Sequence, residues 1–274
     1  MFIHLNNRAL LRVSGSDAEI FLQGQLSNDI NSLNASSVQL NAYCQHQGKI
    51  LALFWVMKYE ESFFLSFSLD LLETIKSRLQ MFVIMSDVLI DDVSSAYLQI
   101  GAIDKDHQKA YVINDKLSLI IQDKEDSTNF NLEILDIWNM ACIDSNLPEI
   151  YLQTSEKLVP QMLNLDIDEI GVNFSKGCYP GQEVVARLHY LGSAKRRLFT
   201  FKSEAELNIG DSLYCASSKA AKVRGERYKG SGIILNKVKY NSLFYCLATL
   251  DVDLTDDKIT LNNEHGPILK IINK

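Results

Sequence analysis

The stretch that decides the fold of this sequence lies past its middle, and it reads Lys176-Gly177-Cys178-Tyr179-Pro180-Gly181-Gln182-Glu183, followed by Val184-Val185-Ala186-Arg187. Glycines and a proline alternate there with a thiol, charges and an amide, which is too irregular for a core strand or helix. Proline is suited to the first position of a helix, where a missing N–H is harmless. The segment therefore predicts a short helix from about Pro180 through Arg187, with Cys178 just before its N-terminus.

This placement makes Cys178 the candidate working thiol and Lys176 its cationic neighbour. The positive end of a helix and a nearby ammonium both favour the thiolate, which is the reactive form of cysteine. Gly177 and Gly181 indicate positive φ angles, or a backbone that another group approaches closely. The competing interpretation is a buried, purely structural Cys178, because free cysteines are among the most buried residue types.

Length and composition exclude several classes of protein. The 274 residues hold 47% hydrophobic and 22% charged residues, which is ordinary for a soluble globular protein of two or three small domains. The net charge of −7 argues against general, stable nucleic-acid binding, which needs a basic surface. No apolar run approaches the length of a membrane span, and the N-terminus does not resemble a signal peptide. We therefore expect a cytoplasmic protein without membrane contact.

The cysteines and histidines form no recognisable ligand pattern. The five cysteines are scattered and never occur as C-x-x-C, which argues against a disulfide framework and against a zinc or iron–sulfur site within one chain. The five histidines are not spaced as metal ligands. We therefore predict no metal site, and a reducing compartment is the simplest expectation.

The pattern of apolar residues predicts an α+β fold. Residues 38–67 alternate or run apolar like strands joined by tight turns, one of them at Gln47-Gly48-Lys49. Residues 70–82 carry an apolar stripe at helical spacing, and a second helix is predicted from Leu132 to Ile143 around Trp138. Strands and helices interleave without a regular βαβ repeat, which is typical of the α+β class.

The last quarter of the chain predicts a small antiparallel β-barrel. It contains five strand-like runs separated by turn-forming residues: Leu198–Phe201, Ser212–Cys215, Gly232–Leu235, Leu243–Ala248 and Ile268–Ile272. A basic run at Lys195-Arg196-Arg197 precedes them and marks a boundary. We therefore divide the chain into a first domain, 1–195, and a barrel domain, 196–274.

The segment 176–187, called here the signature segment, resembles the signature of the YgfZ family, folate-binding relatives of the glycine-cleavage T-protein (aminomethyltransferase). The run from Val13 to Asp29 is similar to the opening of that superfamily. Members are implicated in maintaining iron–sulfur clusters, including those of radical enzymes that modify tRNA. The resemblance implies a T-protein-like folate-binding fold, with two interlocked α+β subdomains in 1–195 and a C-terminal antiparallel β-barrel.

The resemblance also implies a ligand, tetrahydrofolate or a one-carbon derivative of it, and residues that hold it. Trp138 matches a folate-contacting tryptophan, whose ring could stack on the pterin or aminobenzoyl group. Residues 158–166 resemble a segment that lines the folate cavity and supply Gln161 and Asn164. The remaining candidates come from the signature segment, with amide and carboxylate groups for the pterin edge and two residues that order the loop: Gln182, Glu183, Tyr179 and Arg187.

Three positions depart from the family pattern. The T-protein carries two adjacent aspartates after the glycine turn, and they are thought to serve its transferase chemistry; here the matching positions are Ala52 and Leu53. The second folate-contacting tryptophan of the family falls at Arg8, whose guanidinium can also lie over a ring or pair with the glutamate tail of folate.

These observations leave three hypotheses. The first is a tetrahydrofolate-binding accessory protein for iron–sulfur cluster assembly or repair, whose partners are folate and iron–sulfur client or assembly proteins. The second is a folate-dependent aminomethyl or one-carbon transferase, against which Ala52 and Leu53 argue. The third is an interaction module that binds no ligand and keeps Cys178 buried.

Overall fold

The computed structural model describes residues 1–105, 107–126, 130, 132–192, 194–218 and 230–273. The four α-helices among these residues are α1 (Ala18–Gln25), α2 (Leu72–Gln80), α3 (Leu135–Asp144) and α4 (Gln182–Leu191). Short 3-10 helices lie at Ile30–Ser32, Leu69–Leu71, Pro160–Leu163, Ile167–Glu169 and Val252–Leu254. None of the described helices combines the length and the apolar character that crossing a membrane requires.

Two five-stranded sheets form the first part of the fold, and the chain threads from one to the other and back. The first sheet has the order β10-β1-β7-β9-β8, from β1 (Phe2–His4), β7 (Tyr97–Ile103), β8 (Ala110–Val112), β9 (Leu117–Asp123) and β10 (Leu132–Glu133). The second has the order β3-β4-β5-β2-β6, from β2 (Arg8–Ser14), β3 (Gln39–Cys44), β4 (Ile50–Tyr59), β5 (Ser62–Ser68) and β6 (Leu89–Asp92). All strands of the second sheet thus lie, in sequence, between β1 and β7 of the first, which interlocks the two units.

The second part is a closed antiparallel barrel with the strand order β11-β14-β13-β12-β15-β16, closed by pairing of β16 with β11. Its strands are β11 (Arg196–Ser203), β12 (Ser212–Tyr214), β13 (Gly232–Tyr240), β14 (Leu243–Asp251), β15 (Ile259–Leu261) and β16 (Ile268–Asn273). Side chains alternate across a strand. On β14, Cys246 and Ala248 therefore point into the barrel core, whereas Leu247 joins the core shared with the two sheets.

The fold confirms the predicted α+β class and the C-terminal antiparallel barrel. All five predicted barrel strands are present, and the sequence pattern missed only the three-residue β15 among the barrel strands described. The helix around Trp138 begins at Leu135 and not at Leu132, because Leu132–Glu133 pairs with β1 as a strand. The division of the chain at 195 remains a prediction, although every barrel strand lies beyond it.

Candidate functional site

The signature segment forms a loop followed by α4. Gly181 precedes the helix with φ 83°, and the Gln182 N–H donates to the Tyr179 carbonyl at 3.2 Å. The prediction of a helix from Pro180 through Arg187 was wrong at both ends. A left-handed residue cannot continue an α-helix toward its N-terminus, so the helix begins at Gln182, and it runs on through Leu191 to the extended Gly192.

The loop before α4 presses against the turn between β3 and β4. A Cβ atom on Gly181 would lie 2.4 Å from the Gln45 carbonyl oxygen and 2.7 Å from the Gly48 Cα. Gly48 has φ 73°, and a Cβ there would lie 3.1 Å from the Val184 Cβ. Two glycines thus allow two backbones to touch, as predicted for Gly181. The same prediction was wrong for Gly177, which lacks a positive φ and has open space around it.

Lys176 fixes the other end of the loop. Its ammonium donates to three backbone carbonyls, those of Gln23 at 2.7 Å, Leu26 at 2.5 Å and Asn28 at 2.9 Å. These carbonyls lie at and just beyond the C-terminus of α1, which is the negative end of a helix. Burial lowers the pKa of Lys176 to about 8, and the nearby Asp29 opposes that shift. The ammonium therefore anchors the loop to α1.

Cys178 lies between these two anchor points with its side chain exposed. The other cysteines, Cys44, Cys142, Cys215 and Cys246, are all buried. Burial raises the pKa of Cys44 and Cys142 to about 12, which makes their thiols poor nucleophiles. Among the five cysteines, only Cys178 is therefore open to a partner or reagent. No group of three or more potential metal ligands occurs within the described part of the chain.

The neighbours of Cys178 in the signature segment divide between core and surface. Tyr179 is buried, its ring lies 5.4 Å from the Lys176 ammonium, and burial raises the pKa of its hydroxyl. Gln182 is half-buried, whereas Glu183 and Arg187 are exposed on α4. Residues four apart share one face of a helix, so this carboxylate and this guanidinium share an exposed face.

Gln161 and Asn164 connect elements of the fold. The Gln161 amide donates to the Val185 carbonyl of α4 at 2.7 Å, and its buried Oε1 has no hydrogen-bond partner within the described ranges. Asn164 adopts a left-handed conformation, and its amide donates to the Leu198 carbonyl of β11 at 3.1 Å. The 3-10 helix Pro160–Leu163 therefore joins α4 to the barrel.

Trp138 lies elsewhere, at the junction of the two sheets and the barrel. Only 3% of it is exposed, and its ring stands edge-on to Trp55 with the centroids 6.0 Å apart. The ring also covers Gly101 of β7, where a Cβ would lie 2.4 Å from it. Beside it is a cavity of about 20 Å³ whose lining includes Arg8, Trp55, Cys142, Glu149 and Tyr151.

Arg8 and Glu149 form a buried ion pair in this region, with 6% and 8% of their side chains exposed. The guanidinium lies 3.9 Å over the Trp55 ring and donates to the Ser66 hydroxyl and carbonyl at 2.7 and 2.9 Å. The Glu149 N–H donates to the Asn236 side chain of β13 at 3.0 Å. Burial raises the pKa of Glu149, against the opposing charge of Arg8. We call the space bounded by Trp55, Trp138 and Glu149 the central niche; Arg8 fills it.

Glu149 is a residue of this site that no sequence pattern predicts. A single glutamate after a proline has no pattern that predicts burial. The one sequence feature that could have pointed to Glu149 is Arg8, which stands where the family has a tryptophan. A buried arginine requires a buried carboxylate, because an unpaired charge is very costly in the protein interior.

The residues around Trp138 do not fit tetrahydrofolate in this arrangement. Pockets for small molecules typically measure about 300–1,000 Å³, and the cavity here is about 20 Å³. The two tryptophan rings and the Glu149 carboxylate suit a flat heterocycle chemically. The Arg8 side chain, however, occupies the space over the Trp55 ring. None of the other six predicted folate residues lines this cavity. The candidates therefore lie in three places: the signature segment, whose loop before α4 we call the signature loop, the 3-10 helix Pro160–Leu163 with Asn164 at its end, and the central niche.

No family model matches the chain. It is 36% identical over 220 residues to an uncharacterized protein of Haemophilus influenzae, covering 77% of this chain and 78% of that protein. It is 27% identical over 266 residues to the tRNA-modifying protein YgfZ of Colwellia psychrerythraea, covering 85% of this chain and 79% of the relative. For the tRNA-modifying protein YgfZ of Aliivibrio fischeri the identity is 28% over 280 residues, covering 92% and 86%.

Among solved structures, the fold is similar to aminomethyltransferase T of the glycine cleavage system of Bartonella henselae. The TM-score is 0.70, and the superposition covers 100% of this chain and 84% of the other at 10% sequence identity. At this identity the likeness shows the fold alone, which is the T-protein fold. The relatives and this fold agree with the resemblance of the signature segment, and we conclude that the chain belongs to the YgfZ family, which is related to the T-protein of the glycine cleavage system.

Proposed function

We propose that this chain is an accessory protein for iron–sulfur cluster assembly or repair, supporting iron–sulfur enzymes such as those that modify tRNA, and that Cys178 is its working thiol. Relatives named tRNA-modifying protein YgfZ cover most of the chain, which supports a YgfZ-like role. The partners would be client or assembly proteins of the cytoplasm, where five unpaired cysteines stay reduced.

The observation that carries this proposal is the exposure of Cys178 on a loop held at both ends. Lys176 ties one end to α1 through three hydrogen bonds, and Gly181 presses the other end onto the turn at Gly48. A thiol on a fixed and open loop can meet a partner with little loss of conformational freedom. The four buried cysteines cannot do so.

A single thiol sets the chemistry that is available. Iron–sulfur clusters are usually held by four cysteine thiolates, and the described residues contain no group of potential ligands that would complete such a set. Cys178 would therefore act as one ligand or one nucleophile, and the partner would supply the remaining ligands. Lys176 supports this role by positioning the loop.

Folate enters the proposal only in a general way. The T-protein fold and the YgfZ family are related to folate, and the resemblance extends this to tetrahydrofolate or a one-carbon derivative as the ligand of Trp138. The small volume beside Trp138 does not support that extension. The proposed function of Cys178 therefore does not depend on bound folate.

The transferase alternative receives no support from the positions on which it depends. Ala52 and Leu53 are both buried in β4, where they pair with Tyr43 and Ala42 of β3. Neither side chain can act as an acid, a base or a ligand for an amine. An aminomethyl transfer like that of the T-protein would need its carboxylates at a different place.

The test is complementation of a bacterial strain that lacks its own YgfZ protein. We expect Cys178→Ala to fold normally and to restore none of the iron–sulfur-dependent tRNA modification, measured by mass spectrometry of tRNA hydrolysates. Ser175→Ala, an exposed change in the same loop, is the matched control and should restore it fully. Full rescue by Cys178→Ala would overturn the proposal and favour an interaction module. Alkylation of the native protein should modify Cys178 alone.

A further inference from the structure

The central niche has the composition of a ligand site but is filled from within. Its walls are two tryptophan rings and a buried carboxylate, and the remaining cavity is about 20 Å³, roughly the space of one water molecule. The Arg8 guanidinium occupies the rest, with its plane centre 3.9 Å above Trp55 and with Glu149 as its ion-pair partner.

The polar groups around Arg8 are arranged for a planar, positively charged donor. The Ser66 hydroxyl and carbonyl accept from the guanidinium, and the Ser66 hydroxyl in turn donates to the Gln99 Oε1 at 2.5 Å. The Gln99 amide closes the set by donating to the Arg8 carbonyl at 3.0 Å. Acceptors at the edge and an aromatic face above the plane are the partners that a guanidinium prefers.

We infer that the central niche is a binding site for planar guanidinium-type groups and that Arg8 is its built-in occupant, which excludes folate from the native protein. The aminopyrimidinone ring of a pterin has the same chemistry, a flat face and an edge of adjacent N–H donors that a carboxylate can accept. Arg8 thus takes the place over Trp55 and beside Glu149 that such a ring would need. This inference is independent of Cys178.

The experiment removes the occupant and offers replacements. In Arg8→Ala, millimolar methylguanidinium should raise the melting temperature by several degrees, because it restores the pair with Glu149. The wild type should not respond, since its niche is full. Arg12→Ala is the matched control: this arginine lies on the same strand, β2, but lines an open surface groove, so its loss leaves no closed niche.

Two further experiments test the role of Glu149 and the type of ligand. Adding Glu149→Gln to Arg8→Ala should abolish the rise in melting temperature with methylguanidinium. Unsubstituted pterin is the second probe. If it raises the melting temperature of Arg8→Ala more than methylguanidinium does, the site also accepts ring ligands. If only methylguanidinium raises the melting temperature, the niche has the size of a side chain. No shift of a folded Arg8→Ala with either probe would overturn the inference.

A measurement on the native protein keeps the inference testable even if Arg8→Ala does not fold. Calorimetric titration of the wild type with tetrahydrofolate should show no binding. One-to-one binding in the micromolar range would overturn the inference, whatever the outcome of the Cys178 complementation.

Discussion

The signature loop and the central niche are two polar regions of this molecule that differ in where their reactive groups point. In the loop, the Lys176 ammonium points inward and binds backbone carbonyls at the end of α1, whereas the thiol of Cys178 is exposed to solvent. In the niche, Arg8 and Glu149 are both turned toward other residues of the same chain. Residues of the right type do not make a binding site unless a partner has room to reach them.

The two regions also differ in what holds them. The loop depends on contacts between backbones and on one lysine, all near the surface. The niche joins β2 and β5 of the second sheet, Gln99 of the first sheet, and Asn236 of the barrel through one buried ion pair. We therefore expect changes in the niche to cost more stability than changes in the loop.

The largest expected effect follows from breaking the ion pair on one side. Glu149→Ala leaves the Arg8 guanidinium buried without its carboxylate and should lower the free energy of unfolding by about 3–5 kcal/mol. Urea denaturation measures it. The double variant Arg8→Leu/Glu149→Leu removes both charges and should lose much less, because apolar side chains of similar size can replace a buried pair. A double variant as unstable as Glu149→Ala would contradict this account of the niche.

A smaller effect is expected in the loop, where two glycines in one segment allow a matched comparison. Gly181→Ala forces a Cβ into the Gln45 carbonyl at a left-handed backbone position, and we expect a loss of about 2–4 kcal/mol. Gly177→Ala meets open space and should change stability by no more than about 0.5 kcal/mol. Thermal unfolding compares the two, and equal losses would show that the loop is not fixed at the turn of Gly48.

The apolar pattern predicted much of the fold because burial follows it closely. The run from Ile50 to Met57 predicts a strand covered on both faces, and all eight of these residues are buried in β4. The five barrel runs predicted five strands for the same reason. What the pattern missed are strands of two or three residues, such as β1, β10 and β15, which are too short to show an alternation.

Residue type predicted the site only in part, because the glycine prediction holds at Gly181 and fails at Gly177, where a Cβ would meet open space. Gly181 predicts a close backbone approach, and a turn of β3–β4 does lie against it. Lys176 is not restricted to one kind of partner, because a long cationic side chain can reach a thiol, a carboxylate or the end of a helix. Its true partners are carbonyls about 150 positions away in sequence, and Arg8 and Glu149 are separated almost as far. Contacts at such separation depend on the tertiary fold, which no local pattern specifies.

The smallest expected effect concerns Lys176. Lys176→Met keeps most of the apolar stem but removes three hydrogen bonds to the end of α1, so we expect a loss of about 1–2 kcal/mol at pH 7. The loss is less than for a buried ion pair, because the side chain is only half-buried. The exposed Lys202→Met is the control and should be nearly neutral.

The pH dependence of that difference tests how the ammonium is held. Burial lowers the pKa of Lys176 to about 8 in the folded state, from an ordinary value of 10.5. Between these two values the unfolded chain binds more protons than the native one, so stability rises with pH. The advantage of the wild type over Lys176→Met should therefore be constant below about pH 8 and should grow toward pH 10 in urea denaturation. An advantage that stays flat up to about pH 10 would contradict this account, because it would mean that the three carbonyls stabilise the charged form at least as much as burial opposes it.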